Sequence, residues 1–308
     1  MPAVPAAVGL FGKIPAERDF VRVNAGAFLR AGLDRWFQEG IEHLQRERTH
    51  LPAEPAHFLL SPAAGAPAFV GAFAPGEDAV GRAFPVVIFT ALDSHLVREG
   101  FPLCPVWLAS FCDASARLAT VARTLALAQL AAEIDTLASG LAPAVPALDV
   151  NALLVQSRLA ELRAALGGLP EAAAYAVSTL RAACSQARAQ PPAAPGRVLT
   201  LDCPAPTDGL RTFWLELVRR NLGAQVQAPS FLWTRETGRL LVALGPAPSL
   251  LLAYLADPDH KNSRRWSLCT SNQTARASAI EKLSPAQRGV VAAEDASLAD
   301  LLSVFSET

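Results

Sequence analysis

The sequence predicts an α/β protein in which a mostly antiparallel sheet is flanked by helices. Three observations predict this class: short apolar runs rich in β-branched and aromatic residues, amphipathic segments with apolar residues three and four apart, and a strand–helix–strand–strand–strand–helix order before residue 138. That order is typical of a longin- or roadblock-like unit, by analogy of topology alone. With 308 residues, 51% of them hydrophobic, the chain can form one large domain or two of ordinary size.

The N-terminal elements follow from the hydrophobic pattern. Residues 8–11 are predicted as a strand, and the amphipathic helix after it has Asn24 as its N-cap and a favourable Glu42–Arg46 pair. The apolar residues of the buried face of this helix are Leu29, Leu33, Trp36, Phe37, Ile41 and Leu44. Strands are then predicted at residues 57–61, 68–73 and 84–91, the last in the centre of the sheet. We expect Trp36 to be substantially buried against these strands.

Helices dominate the middle of the chain, and a second group of strands follows them. Helices are predicted over residues 106–137, as two helices or one with a bend, then from Asp149 to residue 166 and from Pro170 to residue 189. Residues 190–196 are predicted as a linker. Further on we predict a strand at 198–201, a helix capped by Asp208, a hairpin of residues 231–234 and 240–244, a helix at 249–255, a polar loop at 257–266 and a helix at 298–305.

The two halves share one order of elements, a strand, an aromatic-containing helix and two strands. This order fits a second, related β-α-β-β unit in the C-terminal half, but the ordinary likeness of amphipathic helices and hairpins is usually the better explanation. We divide the chain into an N-terminal domain of residues 1–138 and a C-terminal helical plus α/β region of residues 139–308.

Charge and cysteine usage exclude several classes of protein. The net charge is −1, so no basic footprint indicates nucleic acid or an acidic membrane surface. The sequence has five cysteines with no CxxC pair, which favours buried free thiols in a reducing compartment: Cys104, Cys112, Cys184, Cys203 and Cys269. We find neither an export signal nor a run long enough to span a bilayer, and we expect a soluble, cytoplasmic protein.

The glycines near the N-terminus suggest a phosphate-binding loop, but the spacing does not support one. Gly12 and Lys13 are followed by Ile14 and Pro15, so the hydroxyl that a P-loop uses to bind magnesium is missing and the proline has no amide hydrogen to donate. Gly9 and Gly12 are three residues apart, which also differs from the dinucleotide motif. We therefore predict a strand that ends in a glycine and proline turn.

Catalytic and metal-binding constellations are sparse. His43, His50 and His57 are seven residues apart, but Pro52 makes a common helix face doubtful, and no HExxH or Gly-x-Ser-x-Gly motif occurs. The loop with Lys261, Arg264, Arg265 and Trp266 is interpreted as solvated rather than as a nucleic-acid site. We predict no catalytic residue, metal site, cofactor or small-molecule substrate.

An arginine at the entrance of the fourth predicted strand needs a carboxylate. The rigid fork of Arg82 favours bidentate pairing, and Asp19, Asp34 and Asp78 are the candidate partners. An ion pair is the favoured interpretation. A partner-binding surface is the next choice, and a catalytic role would require a poised base in a cleft.

Four segments together resemble the TagF family of type VI secretion-associated proteins: GLFGKIPAERDFVR, DRWFQEG, FLLSP and GAFAPGEDAVGRAFPVVIF. The matching positions, which are structural or partner-binding candidates, are Gly12, Lys13, Asp19, Phe20, Asp34, Trp36, Asp78, Gly81, Arg82, Phe84 and Pro85. The chain departs from the family pattern at Ile14, at Arg18, where the family has glycine, and at Gly76 and Glu77, where Pro-Ser is common.

The resemblance implies a regulatory role and makes the Gly-Lys stretch a fold signature. It implies a cytosolic protein that represses type VI secretion post-translationally by binding a component such as a forkhead-associated scaffold. Two other classes stay open: a GTPase-binding module, and a hydrolase or phosphatase whose site is not recognisable. Neither nucleic acid nor membrane insertion is expected.

Overall fold

In the described parts of the chain, nine strands form one open sheet. The computed structural model describes residues 7–62, 65–140, 149–189, 198–223 and 228–306. The strands are β1 (Val8–Gly12), β2 (Val21–Val23), β3 (Ala56–Leu60), β4 (Ala68–Ala74), β5 (Val86–Leu92), β6 (Thr200–Pro204), β7 (Ser230–Trp233), β8 (Arg239–Ala243) and β9 (Arg265–Ser267). Their order is β2-β1-β5-β4-β3-β7-β8-β6-β9, and neighbours are antiparallel except β6 and β9, which are parallel. The predicted mostly antiparallel sheet is confirmed.

Helices cover both faces of the sheet. They are α1 (Gly26–Arg30), α2 (Leu33–Glu47), α3 (Ser94–Gly100), α4 (Cys104–Trp107), α5 (Ala109–Val121), α6 (Leu127–Ser139), α7 (Val150–Gln156), α8 (Leu159–Ala165), α9 (Pro170–Ala189), α10 (Asp208–Leu222), α11 (Leu251–Ala256), α12 (Gln273–Glu281), α13 (Pro285–Ala292) and α14 (Leu298–Ser306). Single 3₁₀ turns lie at Phe101–Leu103 and Ala122–Thr124. None of the described helices is both long and apolar enough to cross a membrane.

The pleat of the strands divides the core into two layers. Along β3, Phe58 and Leu60 belong to the layer under α1, α2 and α11, whereas Leu59 belongs to the layer under α5, α9 and α10. Successive side chains of a strand point to opposite faces of the sheet. Because helices cover both faces here, the side chains on both faces must be apolar. This explains why β3, β4 and β5 are nearly continuous apolar runs.

One strand pair joins the two halves of the chain. β3 pairs with β7 in the register His57 with Trp233, Phe58 with Leu232 and Leu59 with Phe231. The sheet thus runs across residue 138, and the domain boundary there stays a prediction. The C-terminal half repeats the order strand, helix, strand, strand, but α10 covers the opposite face of the sheet from α2.

The predicted helix beginning at Asn24 is two helices. Gly32 has a φ of 72° and separates α1 from α2, a conformation that glycine adopts at little cost. Asn24 is not the N-cap; it has a φ of 49°, and its side-chain amide donates to the Val8 carbonyl at 2.9 Å. The Glu42–Arg46 prediction is also wrong: Arg46 Nε donates to the backbone oxygen of Glu42 at 3.2 Å, and the Glu42 carboxylate accepts from Gln38 at 3.0 Å.

Two further predictions fail because distant segments pair. The helix predicted from Asp149 to residue 166 is broken at Ser157 and Arg158, which are extended and bridge to the chain before α14; Leu298 donates its backbone amide to the Ser157 oxygen at 2.9 Å. The polar loop predicted at 257–266 ends in strand β9, since Arg265 turns inward to a carboxylate of β6. The linker predicted at 190–196 lies outside the described residues.

Four of the cysteines are buried and all five are free, as predicted, but Cys269 is exposed. Burial raises the pKa of the Cys104 and Cys184 thiols to about 12, so these side chains behave as small apolar groups at neutral pH.

Candidate functional site

Most of the predicted signature residues meet where two loops lie side by side. One loop is residues 13–20, between β1 and β2, and the other is residues 75–85, between β4 and β5; we call them together the signature platform. They are neighbours because β1 pairs with β5, so the end of one strand lies beside the start of the other. The amide of Ala79 donates to the oxygen of Glu17 at 2.9 Å and joins the loops directly.

A buried carboxylate organises the platform. Asp78 Oδ1 accepts from the backbone amides of Val80 at 3.1 Å and Arg82 at 2.9 Å, which closes the second loop. Its Oδ2 lies 2.6 Å from Arg82 Nε and 3.0 Å from Lys13 Nζ, which joins that loop to the first. The prediction that Arg82 pairs with one of three aspartates is confirmed, and Asp78 is the partner.

The hydrogen bonds of Asp78 decide its protonation. Burial alone would raise its pKa, but the bonds from the Arg82 amide, from Lys13 and from the Arg82 guanidinium outweigh burial and hold the pKa well below the usual range. Two cations therefore face one carboxylate that stays ionised. The group of three side chains carries one surplus positive charge.

Arg82 has a second contact and remains largely exposed. Its Nη2 donates to the Arg18 carbonyl at 2.7 Å, yet 60% of its side chain is accessible to solvent. Arg82 therefore bridges the two loops, while its guanidinium still faces solvent.

Aromatic rings support the platform from below. Lys13 Nζ lies 5.1 Å from the centroid of the Phe20 ring, a cation–π geometry. That ring stacks on Phe11 at 5.0 Å and meets Phe84 edge-on at 4.8 Å. The signature aromatics thus connect the loops to the core.

Close packing at Gly12 explains why the stretch before Lys13 contains a glycine, without a bound nucleotide. A Cβ on Gly12 would lie 2.2 Å from the carbonyl oxygen of Pro85, so the close approach of the two strands requires glycine there. Gly81, with a φ of 78°, supplies the turn that returns the second loop to Arg82. The close approach accounts for Gly12 and the turn accounts for Gly81.

Asp19, Asp34 and Trp36, which are also predicted site residues, lie apart from the ion pairs of Asp78 with Lys13 and Arg82. Asp19 is exposed and accepts from the amide of its neighbour Phe20 at 2.7 Å, and Asp34 lies in the first turn of α2. Trp36 is partly buried and packs against the core layer that includes residues of β3, β4 and β5, so the predicted burial is confirmed in part. Its Nε1 donates to the Ala247 carbonyl at 2.9 Å, in the segment before α11.

The outer surface of the platform combines an apolar and a cationic side chain. Val80 is 62% exposed and is the most exposed large apolar side chain among the described residues. It lies two residues from Arg82 in a loop whose conformation the Asp78 hydrogen bonds fix. A protein could contact both side chains at once.

A cleft lies beside the platform, at the C-terminal end of α2. It has a volume of about 110 Å³ and is lined by Ile41, Leu44, Gln45, Thr49, His50, Leu51, Pro75, Gly76, Ala83, Phe84 and Pro85. The exposure of Gln45, His50 and Ala83 shows that it opens to solvent. A second, wider groove of about 410 Å³ lies between α5 and α6, where Arg117 and Glu133 are its charged lining residues.

A polar cluster at the junction of the halves was missed by the sequence analysis. His57 of β3 is buried, stacks on Trp233 of β7 at 5.2 Å, and places Nε2 at 3.4 Å from Asp113 Oδ1. Arg235, in the turn after β7, places Nε at 2.7 Å from the same oxygen. No motif could have found this cluster, because its members come from one strand, one helix and one turn that only the fold brings together.

This cluster has the residue types of an acid–base site, and its histidine is closed to solvent while Asp113 and Arg235 are each about a third exposed. Both ring nitrogens of His57 are buried and make no hydrogen bond among the described residues. Burial would raise the pKa of Asp113, but contact with His57 and the charge of Arg235 lower it, so the carboxylate stays ionised as an ion-pair partner. The cluster links the two halves of the chain across the junction.

The predicted basic loop supplies a second buried network. Asp202 of β6 accepts from Arg239 at 2.9 Å and from Arg265, whose guanidinium also lies 6.0 Å from the centroid of the Tyr254 ring. Arg265 is therefore not solvated, contrary to the prediction. Over the described ranges, no group of three or more His, Cys, Asp or Glu side chains is placed to hold a metal ion.

Comparisons with known proteins place the platform inside a family match. Residues 9–137 match the family described as the TagF N-terminal domain, type VI secretion system-associated. No curated protein matches the chain. The crystal structure of PA0076 from Pseudomonas aeruginosa PAO1, at 2.05 Å resolution, aligns with 24% identity and a TM-score of 0.32, over 46% of this chain and 66% of that one, just under two thirds of its length. Through residues 9–137 the chain carries a TagF N-terminal domain, and this domain links it to type VI secretion.

Proposed function

We propose that this chain is a cytosolic regulator that represses type VI secretion post-translationally by binding a protein component of the system, such as a forkhead-associated scaffold. The family match links the chain to that system. The observation that carries the proposal is the signature platform itself. It presents Val80 and Arg82 to solvent on a loop that a buried ion pair holds in place.

A fixed loop suits a binding role on energetic grounds. Association costs the ordering of every side chain and loop that is mobile in the free protein. The Asp78 hydrogen bonds order the platform before a partner arrives, so less binding energy is lost to ordering. A stable interface also needs more than about 1,000 Å² of buried surface, so it would extend beyond the platform.

The proposed repressor acts by occupancy and not by chemistry. Under this proposal the chain is not an enzyme, binds no metal, cofactor, small-molecule substrate or nucleic acid, and does not insert into a membrane. The cleft lining is consistent with that role, since its residues include one histidine and no carboxylate, lysine or cysteine. A general acid–base pair would need at least two such groups within reach of one substrate.

The genetic test is deletion of the gene in its native host. We expect more secreted tube protein in the culture medium after deletion and less after overexpression of the wild-type chain. Unchanged secretion in both strains, from a host whose secretion apparatus is intact, would contradict the proposal.

A biochemical test separates the proposed partner from the other classes. The chain is immobilised and used to recover proteins from the native cytosol, which are identified by mass spectrometry and then purified for direct binding. We expect a forkhead-associated scaffold of the secretion system. Direct binding of a small GTPase instead would support a GTPase-binding module, and turnover of a phosphatase substrate by the purified chain would support an enzyme.

A further inference from the structure

The groove between α5 and α6 is bounded by one stripe of side chains from each helix. Its volume is about 410 Å³, and its lining includes Ala114, Arg117, Leu118 and Val121 from α5 and Glu133 and Leu137 from α6. Within each helix these residues are three or four apart, so they lie on one face. A groove between two such stripes has the shape into which side chains of another helix pack.

The two helices that form the groove expose apolar side chains. Five large apolar side chains are exposed among the described residues, and two of them are here: Val121, which is 46% exposed, and Leu127, which is 38% exposed. The exposed residues Ala128 and Ala132 of α6 are small, so another helix can approach α6 closely. Neighbouring exposed apolar residues of this kind mark a contact surface.

The unpaired charges of the two helices are opposite in sign. The charged residues are Asp113, Arg117 and Arg123 in α5 and the turn after it, and Glu133 and Asp135 in α6. Asp113 already pairs with Arg235. Two cations therefore remain on the α5 side and two carboxylates on α6, so the surface is neutral as a whole and divided into a positive and a negative half.

Arg117 and Glu133 line the same groove from its two walls. Both side chains are exposed, and neither makes an ion pair with any other described residue. Covering a charge without supplying a partner for it is costly. An occupant of this groove must therefore bring an anionic group over α5 and a cationic group over α6.

A second copy of the same two helices meets both requirements. A two-fold axis parallel to the helices places α5 of each copy over α6 of the other, so that each Arg117 lies opposite Glu133 of the partner subunit. A two-fold axis that runs across the groove would instead place α5 over α5, and the arginines would repel each other. The charges thus favour one arrangement, in which four helices form a bundle.

We propose that α5 and α6 form the interface of a homodimer, with the groove of each copy facing that of the other about an axis parallel to the helices. Each helix has 13 residues and is therefore about 20 Å long and about 10 Å wide. The two faces together cover roughly 800 Å², at the lower end of specific interfaces, so the dimer is weak and depends on concentration. The inference goes beyond the proposed function and does not depend on it.

The test measures the association of the full chain by sedimentation velocity from low to high micromolar concentration. We expect a reversible monomer–dimer equilibrium. Arg117→Glu and Glu133→Arg each create two like-charge contacts by symmetry, so each should raise the dissociation constant of the dimer at least about tenfold. The matched controls are Arg30→Glu on α1 and Glu39→Arg on α2, at exposed sites on helices of the other face of the sheet, and they should leave the constant unchanged.

An equimolar mixture of Arg117→Glu and Glu133→Arg tests whether the contact is between copies. In a mixed pair, the copy with two carboxylates faces the copy with two cations, so both contacts are attractive again. We expect the mixture to dimerise to about the same extent as the wild type, although each variant alone is largely monomeric. Circular dichroism of each variant establishes that it is folded.

Three results would overturn the inference. A wild-type chain that stays monomeric at every concentration would mean that a second copy does not occupy this groove. A dimer that persists in both folded variants would use another surface. Variants that remain monomeric when mixed would show that Arg117 and Glu133 do not pair between copies. None of these results bears on the genetic test of repression, so the two proposals can fail separately.

Discussion

A single carboxylate, that of Asp78, both closes one loop of the signature platform and joins it to the other. Its two oxygens accept from two backbone amides and two cations, and these partners close its side chain off from solvent. Replacing a buried carboxylate with this many partners should lower the free energy of unfolding, because all of its donors lose their acceptor at the same time.

We expect Asp78→Asn to lower the denaturant midpoint of unfolding more than Arg82→Ala does. The amide keeps the shape of the carboxylate but leaves Lys13 beside a neutral group, whereas Arg82 is mostly solvated and its loss is partly made good by water. The measurement is equilibrium unfolding in urea at pH 7. An Asp78→Asn midpoint equal to that of the wild type would contradict the assigned role.

The same carboxylate predicts an acid dependence. Because the folded-state pKa of Asp78 is depressed, its contribution to stability is fully present above the unfolded-state pKa of about 3.9 and is lost as the pH falls below it. The stability difference between wild type and Asp78→Asn should therefore be constant from pH 7 to about pH 5 and shrink below about pH 4. A difference that grows on acidification would refute this reasoning.

Val80 tests the binding role of the platform separately from its stability. Val80→Asp places a charge on a side chain that is 62% exposed, so folding should be unaffected, while an apolar contact with a partner should weaken by at least about tenfold. The readout is repression of secretion in a deletion strain that expresses the variant. Val155→Asp, at a valine of α7 that is 52% exposed, is the matched control and should repress normally.

Helix α2 is fixed by close packing as well as by its apolar stripe. A Cβ on Gly40 would lie 2.6 Å from Leu252 Cδ1 and 3.0 Å from the Ser249 oxygen, so α2 and α11 approach each other at a glycine. The half-buried Trp36 donates its hydrogen bond to the segment before α11 and lies beside the same contact. The α2–α11 pair therefore places the C-terminal end of α2, which forms one wall of the cleft.

Two glycine substitutions in helices should change stability in opposite directions. Gly289 of α13 has open space around its missing Cβ, so Gly289→Ala should raise the unfolding free energy by about 0.5–1 kcal/mol through helix propensity. Gly40→Ala has the same propensity gain but forces Leu252 and Ser249 to move, so it should lower the unfolding free energy. Both are measured by thermal and urea unfolding, and stabilisation by both would show that the α2–α11 contact is loose.

At the scale of the whole molecule, contacts across the β3–β7 junction join the two halves. Besides the strand pairing, Glu54 accepts from the Thr237 amide at 3.2 Å and its hydroxyl at 2.9 Å, and Asp113 holds Arg235 in the same turn. Both carboxylates lie in the N-terminal half, and both anchor the β7–β8 turn of the other. The junction is apolar in the strands and ionic at their ends.

We expect the chain to unfold in one cooperative transition despite the sequence boundary near residue 138. The sheet and both core layers include residues of both halves, so neither can unfold without exposing apolar surface of the other. Tryptophan fluorescence and far-ultraviolet circular dichroism should give coincident urea transitions. Two separated transitions would instead support two domains that fold independently.

The sequence by itself determined the type of most elements. Alternating and continuous apolar runs set β1, β3, β4, β5, β7 and β8, and the stripe on α2 and the cap at Asp149 follow from local chemistry. The predicted cap of α10 at Asp208 is wrong, because the Thr207 side chain accepts from the Leu210 amide and Asp208 is the first residue of the helix. The ion pair of Arg82 was also predictable, because it lies four residues from Asp78 within one loop. Local information was enough for this pair but not for Glu42 and Arg46, which are also four residues apart and make other hydrogen bonds.

Only the tertiary structure decided which distant groups meet. The joining of the halves through β3 and β7, the inward turn of Arg265 to Asp202, and the contact of His57 with Asp113 all involve residues far apart in the chain. The break between α7 and α8 has the same origin, since the chain there hydrogen-bonds to the segment before α14 instead of continuing its helix. A polar group that folding buries needs a hydrogen-bonding or ionic partner, and the fold can bring that partner from any part of the chain. The two partners therefore have no fixed spacing in the sequence, and no sequence pattern predicts them.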